Sequence, residues 1–190
     1  MLWGAKLLNY VGFPTSEVLG PEATSEQIKD LLDRYGQVLV KPNFTGGVGK
    51  KGKAGLIGFA RDGATAMREK ERLYFVEHHV GNNRAKAEGV TFESAIPASY
   101  EIYVSFSDDT RFRAPTLTIT HHGGVDIEEL AKDQIVTIPF DALTGFKGFV
   151  VANALDRINA PNEIISPLVQ NLPRLWDLFN NYGMSMLELN

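Results

Sequence analysis

Val38-Leu39-Val40-Lys41, then Gly46-Gly47-Val48-Gly49-Lys50-Lys51-Gly52-Lys53-Ala54-Gly55, then Leu56-Ile57-Gly58-Phe59-Ala60: the reading of this stretch decides the fold. An apolar run ends on a lysine, a loop rich in glycine and lysine follows, and a second apolar run returns. Short apolar runs separated by turn residues read as two strands joined by a flap. Glycine lets backbone N–H groups approach a ligand closely, because no Cβ intervenes. Lysine adds a mobile positive charge. Such a unit is suited to covering a polyphosphate, as the glycine-rich loop of kinases does. The bland alternative is a basic hairpin tip with no ligand.

Two familiar patterns match the loop, and both fail on what comes next. Gly47-x-Gly49-x-x-Gly52 fits the dinucleotide fingerprint, and Gly47-x-x-x-x-Gly52-Lys53 fits most of a P-loop. Each needs a helix to start at the loop. Here residues 56–60 read as a strand, and Ala54 stands where a P-loop needs Ser or Thr.

The chain has 190 residues, enough for one good core or two small lobes. Its net charge of −4 argues against a dedicated nucleic-acid binder. The cluster Lys50, Lys51, Lys53 suits one small anionic ligand better than a duplex. With no cysteine there is no disulfide, no thiolate nucleophile and no cysteine zinc site. No apolar run is long enough to span a membrane, and the N-terminus lacks a secretory pattern, so a cytoplasmic protein is expected.

Outward from the flap, residues 3–11 read as a helix closed by Gly12. Thr24 with Gln27 reads as a capping box opening a helix to Gly36, with Ile28, Leu31 and Leu32 as its apolar stripe. Asp62-Gly63 opens a polar helical stretch to about Val80, which includes His78-His79 as a solvated face; residues 81–89 read as a loop. Strands are expected over 90–93, 100–106, 116–120 and 135–138, and helices over 146–158 and 161–182, with a kink or break at Pro173. The class is α+β: antiparallel hairpins with helices packed on them.

The order of features points to a family. A strand ending in Lys41 precedes a Gly-Lys-Ala-Gly flap; Glu93 and Glu101 follow; then Gly123-Gly124-Val125-Asp126-Ile127-Glu128, Asp141-Ala142-Leu143-Thr144-Gly145 and Glu188-Leu189-Asn190. This resembles the ATP-grasp region of the succinyl-CoA synthetase β subunit and the matching region of ATP-citrate lyase and citryl-CoA synthetase, over essentially the whole chain. The resemblance implies an ATP-grasp fold with two lobes of mainly antiparallel sheet, residues 17–96 forming the smaller lobe and 1–16 plus 97–190 the second, with ATP between them. It implies that Lys41 contacts the phosphates and that Lys51, Gly52 and Lys53 sit in the flap above. Glu93 would lie at the hinge near adenine and ribose, and Glu101 would accept hydrogen bonds from the ribose hydroxyls. Asn190 matches a magnesium ligand, and Glu188 a carboxylate facing the phosphohistidine of a partner. Gly123 and Gly124 match a loop near the subunit contact.

The activity implied is Mg-ATP-dependent phosphorylation of a histidine on a CoA-binding partner subunit or domain, on the way to acyl phosphate and acyl-CoA. The small carboxylic acid and CoA would bind mostly outside this chain, in a hetero-oligomer. Gly-Gly-Val-Asp in place of Gly-Gly-Val-Glu, and the Thr-His-His lead-in, favour ATP-citrate lyase over succinyl-CoA synthetase. In the family an aspartate and further strands follow the Asn position, so the chain reads as a fragment truncated in its second lobe. A non-catalytic nucleotide-binding and subunit-interaction module is the alternative of another class. His121-His122, on opposite faces of a strand, and Asp126, Glu128 and Glu129, as the acidic first turn of a helix, carry structural readings beside any catalytic one.

Overall fold

The computed structural model describes residues 2–44, 55–80, 83–124 and 127–189. They form two compact units: Met1–Leu7 with Pro14–Pro97, and Leu8–Phe13 with Ala98–Asn190. The first helix, α1 (Leu2–Tyr10), contributes to both.

In the first unit, α2 (Ser25–Tyr35) begins as its sequence requires. The Thr24 hydroxyl accepts from the Gln27 N–H at 3.2 Å, and the Gln27 side chain accepts from the Thr24 N–H at 2.9 Å. Gly36 closes the helix at φ 72°, a conformation most side chains avoid. Strands β1 (Val18–Leu19), β2 (Val38–Phe44), β3 (Gly58–Ala60), β4 (Glu77–Val80) and β5 (Asn83–Ser94) make one antiparallel sheet in the order β1-β5-β2-β3, with β4 also on β5. Helices α2 and α3 (Gly63–Leu73) cover the face that carries Val38, Val40, Val90 and Phe92. A strand therefore follows the flap, and the two helix-dependent motif readings fall with it.

The helix expected to run to Val80 stops at Leu73, and residues 83–89 of the expected loop belong to strand β5. His78 and His79 lie on β4 rather than on a helix face. Cross-strand partners explain the change. Glu77 pairs with Arg84, Lys86 stands 5.2 Å from the Phe75 ring centroid, and the Ala87 N–H donates to the Val76 carbonyl at 2.8 Å. None of these is visible in a local window.

The second unit holds β6 (Tyr103–Asp109), β7 (Ala114–Thr120), β8 (Val136–Pro139) and β9 (Met186–Leu189), all antiparallel, in the order β8-β7-β6-β9. Helices α4 (Gly148–Arg157) and α5 (Asn162–Asn181) pack on one face. Phe106 is its centre, with Phe146, Trp176, Phe179 and Phe140 all within 6.3 Å between ring centroids. Helix α5 continues through Pro167 and Pro173, so no break occurs at Pro173. Pro173 offers no N–H to the Val169 carbonyl. Gly148, at the start of α4, stands against that residue: a Cβ there would lie 2.8 Å from Val169 Cγ1 and 3.3 Å from its carbonyl oxygen. Among the described residues no helix is long and apolar enough to cross a membrane.

Because Phe106 is fully buried among four aromatic rings, Phe106→Ala should lower the unfolding free energy by about 3–5 kcal/mol, read from chemical denaturation.

Candidate functional site

In β2, Val38, Val40 and Phe44 point into the core, so the intervening Leu39 and Lys41 point to the opposite face. The β2–β5 register places Leu39 opposite Glu93 and Lys41 opposite Thr91, which puts all four side chains on that second face. Lys41 and Glu93 are diagonal neighbours there, and Lys41 Nζ donates to Glu93 Oε2 at 2.5 Å. The Thr91 hydroxyl donates to Glu93 Oε1 at 3.1 Å. Both carboxylate oxygens are thus engaged, in a residue only 5% exposed.

A carboxylate removed from water needs a partner charge and hydrogen bonds to stay ionised cheaply. Glu93 obtains both from Lys41 and Thr91. The lysine side chain keeps 21% of its surface accessible. An ammonium has three donors, so Lys41 can hold Glu93 and still offer hydrogens to an anion. Sequence reasoning singled out Lys41 and Glu93 separately. It passed over Thr91, whose signal is its two-residue spacing from Glu93 along one strand.

In the second unit Glu101 lies just before β6, beside the turn that follows β7. The Gly123 N–H donates to the Glu101 carbonyl at 2.7 Å, and the Glu101 carboxylate rests on Gly124, which has φ +73°. Strand β7 ends at Thr120, so the alternation expected for His121 and His122 does not apply to them. Their rings instead lie close, with centroids 4.1 Å apart. His121 Nδ1 is buried with no hydrogen-bond partner among the described residues. Burial, and secondarily the neighbouring His122, pushes the His121 imidazole below its ordinary value.

The face of this sheet turned away from Phe106 is lined by hydroxyls. Register sets Tyr103 opposite Thr120, Ser105 opposite Thr118 and Ser107 opposite Thr116. Thr118 and Thr137 share a hydrogen bond at 2.9 Å. Glu188, exposed on β9, sits opposite Ser105 on the same face. Tyr103 is pushed up by burial, with the Glu188 charge adding to the rise while the Ser105 hydroxyl opposes it. These hydroxyl residues were not among the expected site residues. Their signal is the alternation Thr116-Thr118-Thr120 and Tyr103-Ser105-Ser107.

The structure therefore brings Lys41 together with Glu93, Glu101 together with Gly123-Gly124, and Glu188 together with Ser105. Lys51, Gly52, Lys53 and Asn190 lie outside the described residues, as does Asp126. Among the described residues no group of three or more His, Asp or Glu side chains could hold a metal ion by itself.

Residues 5–190 match the family model described as an ATP-grasp domain. The chain is 29% identical over 177 residues to the succinate–CoA ligase [ADP-forming] subunit beta of Desulfatibacillum aliphaticivorans, covering 91% of this chain and 45% of that protein. It thus spans under half the length of that relative. The fold is similar to that of ATP citrate lyase from Methanothrix soehngenii in complex with citrate and coenzyme A, with a TM-score of 0.68 at 20% identity, over 99% of this chain and 43% of that one. It is also similar to dinucleotide forming acetyl-coenzyme A synthetase 1 of Ca. Korarchaeum cryptofilum, solved with coenzyme A and Mg-AMPPCP and with its phosphohistidine segment pointing towards the nucleotide binding site. That match has a TM-score of 0.65 at 14% identity and covers 98% of this chain and 81% of that one.

Two outcomes follow from the site itself. Lys41→Met strands the buried Glu93 carboxylate and should cost about 3 kcal/mol of unfolding free energy, while Lys41→Met with Glu93→Gln should recover much of that loss. A double-mutant cycle reads the difference. For His121, the depressed folded value means that the unfolded chain binds more protons in the window below about pH 6.5. Stability contributed by the neutral ring is therefore lost as pH falls through that window. Melting temperature should drop less on acidification in His121→Gln than in the wild type.

Proposed function

The chain belongs to the ATP-grasp family, and on that premise we propose that it is the ATP-binding part of an acid–CoA ligase. The observation that carries the reading is the Lys41–Glu93 pair. A lysine anchored by a buried carboxylate stands within β2, which runs on past it to Phe44 rather than ending there and leads into the glycine-rich flap.

In this reading Lys41 neutralises charge on the phosphates, and Lys51, Gly52 and Lys53 of the flap cover them. Glu93 aims Lys41 and borders the sugar and base. Glu101 accepts hydrogen bonds from the ribose hydroxyls. Phosphoryl transfer of this kind depends mostly on positioning and electrostatics. Magnesium bound with the nucleotide would supply positive charge against the phosphates, and the Asn190 amide oxygen would be a ligand for it, since a hard cation takes oxygen donors. The acceptor is a histidine on a CoA-binding partner. Glu188 accepts the N–H of that imidazole and so leaves its other nitrogen free to attack. The protein partner and the acid complete a hetero-oligomeric enzyme.

Citrate is the acid we place first, on Gly123-Gly124-Val125-Asp126 and the Thr120-His121-His122 lead-in. Succinate is the second reading, favoured by the 29% identity to a succinate–CoA ligase β subunit.

Mg-ATP should raise the melting temperature of the chain and NAD should not. Lys41→Ala and Glu101→Ala should each shrink the ATP-induced rise; rises equal to the wild type in both would refute the site. With a partner supplied, radiolabel from γ-labelled ATP should appear on a partner histidine. The acid that drains it, citrate or succinate, identifies the substrate.

A further inference from the structure

We propose that Gly124 is a positioning residue: the Gly123-Gly124 turn is the seat of the Glu101 carboxylate, and through it sets the preference for a ribonucleotide over a deoxyribonucleotide. The inference rests on the reading of Glu101 as the ribose-binding carboxylate and deepens it.

Glu101 is an exposed residue in a segment without regular structure. A free glutamate there would sample many rotamers, and ordering it on a ligand would cost binding energy. The fold limits that freedom from two sides. The Gly123 N–H holds the Glu101 main chain at 2.7 Å. The carboxylate lies directly on the Gly124 backbone: a Cβ at that position would stand 3.0 Å from the Glu101 carboxyl carbon and would overlap Oε2 outright. Gly124 also has φ +73°, where L side chains are disfavoured. Only a residue without a side chain leaves this seat open.

The turn is itself tied to the sheet. The His122 N–H donates to the hydroxyl of Thr120 at 3.0 Å, and Thr120 is fully buried opposite Tyr103. The seat and the carboxylate therefore belong to one end of the β6–β7 hairpin. A carboxylate fixed in place has two oxygens for the two adjacent hydroxyls of a ribose. A 2′-deoxyribose offers one.

Affinities of Mg-ATP and of its 2′-deoxy counterpart, measured by calorimetry on the whole chain, test the inference in the wild type, Gly124→Ala and Gly124→Asn. Asparagine tolerates the left-handed conformation, so it keeps the test alive if the alanine variant fails to fold. The wild type should prefer ATP about tenfold, the order of one hydrogen bond to a charged group. Both variants should bind the two nucleotides within about twofold of each other, with the loss falling on ATP. Variants that keep the wild-type preference would overturn the role of Gly124 and leave the ribose reading of Glu101 standing. A wild type that binds ATP without preference would overturn both, and one that binds no nucleotide would overturn the proposed function as well.

Discussion

A carboxylate taken out of water in the middle of a sheet is the constraint on which the first unit turns. Glu93 can be buried because the β2–β5 register delivers Lys41 to one oxygen, while Thr91, two residues earlier on the same strand, reaches the other. A slip of one residue would send all these side chains to the opposite face, into the apolar core. The same requirement fixes the position of the ammonium before any ligand arrives. In the proposed reading, an anion meeting Lys41 would find a charge already oriented, with its reorganisation cost met during folding.

The second unit handles polarity differently. One face is nearly all ring and hydrocarbon around Phe106, while the other is a ladder of hydroxyls ending at Glu188. Ser105, Thr116 and Thr120 of that ladder are buried, and hydroxyls, which both donate and accept, can satisfy one another there without carrying charge, as Ser107 with Thr116 and Thr118 with Thr137 do. Tyr103, with its phenol held above its ordinary range, stays a neutral member of that ladder. Glu188, opposite Ser105, and Asp109, opposite Ala114, are carboxylates that the paired residues of this face present.

Much of this architecture could be read from sequence because the relevant forces are local. The Thr24–Gln27 box and Gly36 mark both ends of α2, and the alternating runs mark β6 and β7. The β4–β5 hairpin was missed because Glu77, His78, His79, Arg84 and Lys86 suit a solvated helix as well as a strand, and their deciding contacts cross the hairpin. Gly81-Asn82, a two-residue hairpin signal, was the one local hint. Lys41, Glu93 and Glu101 were legible in the sequence as candidates. Their partners were not: the diagonal across β2 and β5 and the approach of Glu101 to Gly124 depend on register and topology. The shared ring contact of His121 and His122 depends on where β7 ends, a boundary that propensity places poorly.

Strand β5 has a consequence for how the protein is made. It is the last strand of the first unit, and β1, β2 and β4 all hydrogen-bond to it. A ribosome releasing the chain from its N-terminus therefore exposes β2, with Val38, Val40 and Phe44, well before the strand that will cover its open edge exists. Until then the nascent segment carries an unpaired apolar edge, the kind of surface that invites chaperones or self-association. Translation that pauses before Ser94 would lengthen that exposure, and brisk synthesis through β5 would end it.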